Sequence, residues 1–421
     1  EEGEFAPTSS SFGVQATTAH MSRRLLILNE RDQRHPWAGG AELHITETGK
    51  RFARAGYEPV LLCTRFPGAI AEEMRDGVRV RRFGNRLTYY LMLPFIVRQE
   101  VRAPGTLIIE HLNKLPFCSS LYTRAPTLAV AHHLFGWTAF QQVPFPVATM
   151  VVGGERLIPW LYRRQPIVAV SPSTRDDLTR RGLPAAHVVV IPNGLDHSLY
   201  VPGPQPAPTP TVLVLGRIEP YKRIDLVLRA VHRLRGRVPA ARLLVVGSGR
   251  GLEALRRLAA DLGLSDCVRF TGFVDERTKV RCIQQAAVSV NTSDKEGWGL
   301  TVLEANACGV PTVASDVPGL RDAVRPGETG VLVPHGDVEA LAAAIARLLT
   351  SDAERQHLAA GARAWSLQFS WERSTEHMLR LIEATCKGPR WPELISTMDA
   401  WTPAPGLAPQ EGPAAQRSAV G

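Results

Sequence analysis

The tightest constraint on this chain is the alternation of short apolar runs with amphipathic stretches from Met21 onward, a pattern that is interrupted once and then restarts. The runs LLILN (25–29), VLLC (60–63), VRVRRF (78–83), TLIIE (106–110), TLAVA (127–131), IVAV (167–170) and VVVI (188–191) read as strands. Helical patterns at 40–55 and 172–181 lie between some of them. Strand and helix in alternation build a parallel sheet with helices on both faces. The interruption, PNGLDHSLYVPGPQPAPTP (192–210), is dense in Pro and Gly, as an interdomain segment is. Beyond it, TVLVLG (211–216), RLLVVG (242–247), VRFTG (268–272), VSVN (288–291) and PTVAS (311–315) read as strands. Helices are expected near 222–236, 250–262, 300–308, 337–349, 352–366 and 372–385.

The pattern predicts an α/β chain of two Rossmann-like, doubly wound parallel-sheet domains, over 21–195 and 211–370, with a linker at 196–210. Its 421 residues are long for one core, which agrees. A helix at 371–390 follows the completed second domain and is expected to cross back onto the first. Residues 1–20 have no periodic pattern and read as a disordered leader. Residues 391–421, rich in Pro, Ala, Gly and Gln, read as a disordered tail.

Open α/β sheets bind ligands at the carboxyl ends of their strands, so two of them imply a cleft. The formal net charge of +9 favours an anionic ligand. It is not gathered into an aromatic-interleaved patch or a reading helix, which argues against nucleic acid. The cysteines (63, 118, 267, 282, 308, 386) show neither metal-ligand spacing nor a disulfide framework and read as reduced thiols. No run reaches the ~18 apolar residues of a spanning helix. A cytoplasmic protein is expected, with the cytoplasmic face of a membrane as a second setting.

Several residues near the cleft carry chemistry. GRIEPYKRID (216–225) puts Arg217 just past a strand and Lys222 near the next helix, where two cations can clamp a diphosphate and stabilise it as it leaves. The glycines at 247, 249 and 251 do not fit G-x-G-x-x-G, and no acid ends the following strand, so a nicotinamide dehydrogenase is disfavoured. In NTSDKEGWGLTVLEANACGVPTVASD (291–316), Glu296 opens a glycine turn, whereas Glu304 sits among Val302, Leu303 and Ala305. A buried carboxylate needs a partner, here a ligand diol or a neighbouring N–H.

Arg217, Lys222, the glutamates seven residues apart and NACGVPTVASDVPGL together resemble the retaining glycosyltransferases of family 4, which have the GT-B fold. IPNGLDHSLYVP (191–202) is similar to that family's interdomain segment and WAGGAELHI (37–45) to its glycine-rich loop. The resemblance spans about residues 22–386. It implies a nucleoside-diphosphate sugar as co-substrate, with Arg217 and Lys222 on the diphosphate and Glu304 on the ribose. Glu296 and the backbone of Gly297, Trp298, Gly299 and Leu300 would hold the sugar. Gly39 and Gly40 would approach the phosphates and the acceptor, Gly216 and Gly247 would bind the donor, and Phe273 and Val274 would lie against the base. TLAVAHHLFG (127–136) resembles the strand ending in a histidine beside the transferred sugar, with His132 the closer match and His133 the fallback. His132, Arg217, Lys222 and Glu296 are thus the expected catalytic set. No D-x-D lies near the cleft, so no metal or other cofactor is expected.

The acceptor is less legible. EHLNKLPFCSSLYTR (110–124) places His111, Asn113 and Lys114 after a strand, and these, with His133, are the candidate acceptor contacts. NRLTYYLMLPFIVR (85–98) and ERLIPWLYRR (155–164) combine aromatic and aliphatic residues with arginines, as a core helix, a pocket wall or a membrane-interface segment does. A glycan or lipid-linked acceptor, as in cell-envelope or exopolysaccharide synthesis, is the expectation, with a small soluble acceptor as the alternative; peripheral membrane contact through the first domain is expected on the membrane-interface reading of these two segments. Two rivals stand: a phosphorylase or sugar-phosphate synthase on the same fold, and an inactive sugar-nucleotide-binding protein.

Overall fold

The computed structural model describes residues 24–112, 114–203, 209–388 and 391–398. The expected leader and Asn113 lie outside them. The first domain runs β1 (Arg24–Leu28), α1 (Gly40–Arg54), β2 (Glu58–Thr64), β3 (Glu72–Arg75), β4 (Val78–Phe83), α2 (Thr88–Glu100), β5 (Leu107–Leu112) and β6 (Thr127–Ala131). It continues with α3 (Ala139–Gln142), α4 (Phe145–Leu161), β7 (Ile167–Ala169), α5 (Pro172–Arg180) and β8 (Val188–Val190). Its strand order is β3-β4-β2-β1-β5-β6-β7-β8. All neighbours pair in parallel except β3 with β4.

The second domain runs β9 (Thr211–Leu215), α6 (Ile224–Leu234), β10 (Arg242–Val246), α7 (Leu252–Asp261), β11 (Val268–Gly272), α8 (Glu276–Gln284) and β12 (Val288–Asn291). Then come α9 (Leu300–Ala307), β13 (Thr312–Ser315), α10 (Leu320–Ala323), β14 (Gly330–Val333), α11 (Val338–Thr350) and α12 (Asp352–Ser366). Its order is β11-β10-β9-β12-β13-β14, parallel throughout. Both sheets are doubly wound, and together they form the GT-B architecture.

Side-chain alternation along the strands sorts the helices by face. Leu25, Ile27, Leu107 and Ile109 point to one side of the first sheet, under α1. Leu26, Leu28, Val60, Leu62 and Ile108 point to the other, under Tyr89, Leu93 and Val97 of α2. Leu112, Ala129, Ala131, Ile167 and Ala169 continue that second face under Ile158 and Leu161 of α4.

Two further helices, α13 (Trp371–Cys386) and α14 (Trp391–Thr397), cross back to the α1 side of the first sheet. Met378, Leu381 and Ile382 of α13 join its core, and Arg51 of α1 donates from Nε to Glu372 at 3.0 Å. Where the two interdomain crossings meet, Leu195 N–H donates to Phe369 C=O at 3.1 Å, and a Cβ on Gly194 would overlap the Ser370 and Trp371 backbone. The first part of the linker is therefore packed: Tyr200 is buried.

One reading is corrected. Residues 391–398, taken from their composition as the start of a disordered tail, carry α14, and Trp391, Ile395 and Met398 are buried in the first domain's core. Three apolar residues on one helical face outweigh the Pro-rich sequence that follows. The charged edge strand β3 (EEMR) has no apolar signal; the Asp76-Gly77 turn, with φ of 49° and 81°, is what announces its hairpin. Among the described residues no helix is long and apolar enough to cross a membrane.

Trp391 packs edge-on against His187 with ring centroids 4.6 Å apart. Trp391→Ala is expected to cost about 3 kcal/mol of first-domain stability, read as a lowered urea midpoint. An unchanged midpoint would show that α14 is not docked.

Candidate active site

The site is assembled where the carboxyl ends of both sheets face each other. β9 ends at Leu215, and Gly216, with φ of 118°, turns the chain so that Arg217 emerges exposed. A 3-10 turn, Pro220–Lys222, then directs Lys222 inward before Arg223 starts α6 from a left-handed conformation. Gly247 is required for this nesting: its φ is 139°, and a Cβ there would collide with the Gly216 carbonyl. Gly216 and Gly247 therefore bring the loops after β9 and β10 together through backbone packing.

Glu296 follows β12 and makes an ion pair with Lys222 Nζ. It also accepts from Ser293 Oγ at 2.8 Å, and Ser293 is fixed by Asn291 at 2.7 Å. Burial opposes the Glu296 charge, but the Lys222 ammonium overrides it and holds the carboxyl below its usual range. Burial likewise opposes the Lys222 charge, and Glu296 raises it above the usual lysine value. Both remain ionised at neutral pH. Arg217 donates to Tyr221 Oη at 3.2 Å and forms no ion pair among the described residues. An unpaired guanidinium thus stands near a paired ammonium.

The glycine turn after Glu296 meets the first domain. A Cβ on Gly297 would overlap the carbonyl oxygen of His132. Gly299, with φ of 75°, caps the start of α9, whose N-terminus faces the same space. Across the cleft a Cβ on Gly39 would lie 3.6 Å from the Arg217 guanidinium, and one on Gly40 3.2 Å from Leu300. Lys295 pairs with Asp177 at 3.0 Å, and Ser173 N–H donates to Asp322 at 3.0 Å, so polar contacts bridge the two domains beside the site.

Trp298 does not show its ring to the cleft. It is buried with Val170, Leu303, Trp365 and Phe369, leaving its backbone as the part available to a donor. Phe273 is 84% exposed, so it can lie flat against a base, while Val274 packs inward near Tyr200 and Leu215.

Glu304 is buried, as its apolar neighbours in sequence predict. One carboxylate oxygen faces Lys279 Nζ at 3.0 Å and Tyr200 Oη at 3.2 Å. The other, Oε2, finds no hydrogen-bond partner among the described residues. Burial pushes this carboxyl up, with Lys279 countering. An orphaned buried acceptor is costly and marks a place for ligand donors.

The histidines sort differently from the expectation. His132 turns inward: its Nε2 lies 2.9 Å from His111 Nδ1, and its ring stacks on His111 at 5.2 Å. His44 completes this buried group, its Nδ1 2.8 Å from Asn193 Oδ1. His111, expected to touch the acceptor, is thus in the core, where it orients His132. His133 is the ring whose field comes from Lys295, Glu296, Arg217 and Lys222; burial first, and then Lys295, hold it down to about 4. Its position, next to His132, made it the fallback; it lies past the end of β6, and a Cβ on Gly297 would come 3.6 Å from the His133 Cβ, so it stands beside the turn after Glu296. Lys114 is brought to about 8 by burial and then by the charges of Arg86, Arg31 and Arg217, and it sits 5.7 Å above the Phe135 ring.

Several supporting residues escaped the sequence reading. Glu155 accepts from the N–H groups of Phe135 and Gly136 and fixes the loop after His133. Glu110 accepts from Ser119, Cys118 and Tyr162 and fixes the loop carrying Lys114. Both are acids within apolar runs, the same signal that singled out Glu304. Tyr200 and Lys279 gave no such signal.

Residues 202–365 match the family described as Glycosyl transferases group 1, and residues 38–199 match Glycosyltransferase Family 4. The chain is 31% identical over 395 residues to a D-inositol 3-phosphate glycosyltransferase of Geodermatophilus obscurus, covering 83% of this chain and 86% of that protein. The chain belongs to glycosyltransferase family 4. A second relative, 32% identical over 247 residues, is a GDP-mannose-dependent alpha-(1-6)-phosphatidylinositol monomannoside mannosyltransferase of Mycolicibacterium smegmatis, with 55% of this chain and 62% of the relative covered. Among solved structures, sucrose-phosphate synthase from Thermosynechococcus elongatus superposes with a TM-score of 0.74 at 25% identity, over 86% of this chain and 98% of that one. This glycosyltransferase therefore carries its family's arrangement along both domains.

Two predictions follow from the geometry. His44 and His133 are both held down to about 4, with burial the leading cause. Unfolded, they would titrate near 6.5, so their contribution is complete above that pH and is lost as pH falls from about 6.5 toward 4. Each should remove about 1.4 kcal/mol per pH unit in that window, seen as a falling melting temperature in the glycosyltransferase and shallower in His44→Asn. Gly297→Ala should lower kcat/KM about a hundredfold by forcing the turn off the His132 carbonyl, measured by donor turnover; near-wild-type turnover would show that this contact is not needed.

Proposed function

We propose that this glycosyltransferase uses a nucleoside-diphosphate sugar, works without a metal ion and retains the anomeric configuration. The observation that carries the proposal is the pairing of an uncompensated Arg217 with a buried, charged Lys222 beside the N-terminus of α9. These groups offer a diphosphate the positive charge that a divalent cation supplies elsewhere. The orphaned Glu304 Oε2 suits a ribose hydroxyl as donor, and Phe273 suits a base.

In this reading Glu296 accepts hydrogen bonds from the sugar hydroxyls, and Lys222, released toward the diphosphate, shares its charge between the two. The bond from the anomeric carbon to the diphosphate oxygen breaks, and its electron pair goes to the diphosphate under Arg217 and Lys222. The acceptor oxygen then bonds to the same face of that carbon, and its proton passes to the departing phosphate oxygen. His133, neutral at physiological pH, lines the sugar side without adding charge.

The acceptor reading is a hydroxyl on a phosphorylated polyol or a lipid-linked glycan. Lys114, with the charges of Arg31 and Arg86 around it, suits a phosphate on that acceptor. The relative whose name specifies D-inositol 3-phosphate supports the first form, and the phosphatidylinositol monomannoside mannosyltransferase supports the second.

Thermal-shift measurements with UDP, GDP and ADP test the donor: one of the three should raise the melting temperature by several degrees. No shift with any of them would count against the reading as a whole. Turnover with the donor so identified should survive EDTA, whereas loss in EDTA that Mg²⁺ restores would contradict the metal-free step.

A further inference from the structure

The first domain has a second surface that the cleft does not explain. α2 and α4 cover the same face of the first sheet, α2 over β1, β2 and β5 and α4 over β5, β6 and β7, and each buries only one stripe. Their outward stripes are apolar instead of polar. On α2 and its N-cap, Leu87, Leu91 and Phe95 repeat every four residues. On α4, Met150, Leu157 and Trp160 lie on one outward face, with Gly153 between them. These six side chains are 55% to 77% exposed. Leu121, in the segment between the two helices, Trp137, before α4, and Phe145, at its first position, are also exposed. Solubility requires the opposite pattern on an outer helix face, and an exposed apolar patch of this kind marks an interaction surface.

The charges around it select the partner. Arg98, Arg124, Arg156, Arg163 and Arg164 are exposed and form no ion pair among the described residues. The acids of the same segments are all withdrawn: Glu100 is paired with Arg24 and Arg81, while Glu110 and Glu155 are buried acceptors. Among the described residues these segments thus present exposed apolar side chains interspersed with unpaired arginines and no exposed carboxylate. A protein partner can be apolar or acidic, but an anionic bilayer presents both properties together, hydrocarbon beneath a layer of phosphates. Arginines on such a face keep their guanidinium groups at the phosphates while their stems cover apolar surface.

We propose that the outer face of α2 and α4 docks this protein onto an anionic lipid bilayer, with Leu91, Phe95, Met150, Leu157 and Trp160 entering the interface and the arginines contacting lipid phosphates. The cleft is then placed at the membrane. α2 follows the carboxyl end of β4, α4 follows that of β6 after α3, and Lys114 lies in the field of Arg86 and of Arg217 at the cleft. A lipid-borne hydroxyl then reaches the site without leaving the bilayer surface. The docking face stands independently of the donor and acceptor assignments, because neither helix face contributes a residue to them.

The test is flotation of the full chain with phosphatidylglycerol–phosphatidylcholine vesicles and with phosphatidylcholine vesicles alone. The protein should float with the anionic vesicles, and high salt or neutral vesicles should reduce the bound fraction. A variant carrying Leu91→Gln, Phe95→Gln, Leu157→Gln and Trp160→Gln should lose binding by about tenfold or more, and Arg163→Ala with Arg164→Ala should weaken binding to anionic vesicles only. All these positions are exposed, so the variants should keep the wild-type melting temperature and the same nucleotide thermal shift, which separates this test from that of the donor site. Failure of the wild-type protein to float would overturn the proposal. So would equal flotation of the Gln variant, or a stable dimer in solution that the Gln substitutions dissolve, since a second copy would then be the occupant.

Discussion

The ion pair between Lys222 and Glu296 is the interaction on which the site depends. Two charges in a largely closed cleft cannot each be buried alone, because desolvation would strip one or both of charge. Paired, they hold each other ionised: Glu296 below its usual range, Lys222 above its own. In the proposed reaction the pair stores an ammonium where the diphosphate leaves and a carboxylate where the sugar hydroxyls bind. Among the described residues Arg217 forms no ion pair, so in the proposed reaction its charge is free for the anionic donor.

The scaffold serves that arrangement through backbone proximity more than through side chains. Gly247 lets the loops after β9 and β10 nest, so that Arg217 and Lys222 emerge together. Gly297 lets the turn after Glu296 touch the His132 carbonyl, which brings the second domain's donor loop against the first. The buried histidines 44, 111 and 132 then tie that carbonyl to α1, β5 and the interdomain crossing at Asn193. Trp371 at the start of α13 lies against His44, 6.0 Å between ring centroids, so the returning helix closes the same assembly.

Much of this was legible in the sequence because it has a local signature. The strands of both sheets are continuous apolar runs, as buried parallel strands must be, and β9 and β12 fall where VLVL and VSVN place them. Glu304 was legible because a carboxylate between Leu303 and Ala305 is anomalous. What stayed hidden depends on contacts between distant segments. Nothing near Tyr200 or Lys279 announces that they meet Glu304, and nothing in HH at 132–133 says which ring turns inward; the contact of His132 with His111, on a separate strand, decides that. α14 was missed because composition outweighed three apolar residues on one face, and β3 because an edge strand of charged residues has no apolar period.

The central claim is that side-chain cations carry the charge of the departing diphosphate. It is tested most directly by the turnover number of Lys222→Ala on the donor that the protein binds, at saturating donor and in the absence of divalent metal. The account predicts that kcat falls about a hundredfold or more while the nucleotide diphosphate still binds through Glu304 and Phe273. A kcat within about twofold of wild type would contradict it and move the driving charge elsewhere in the site.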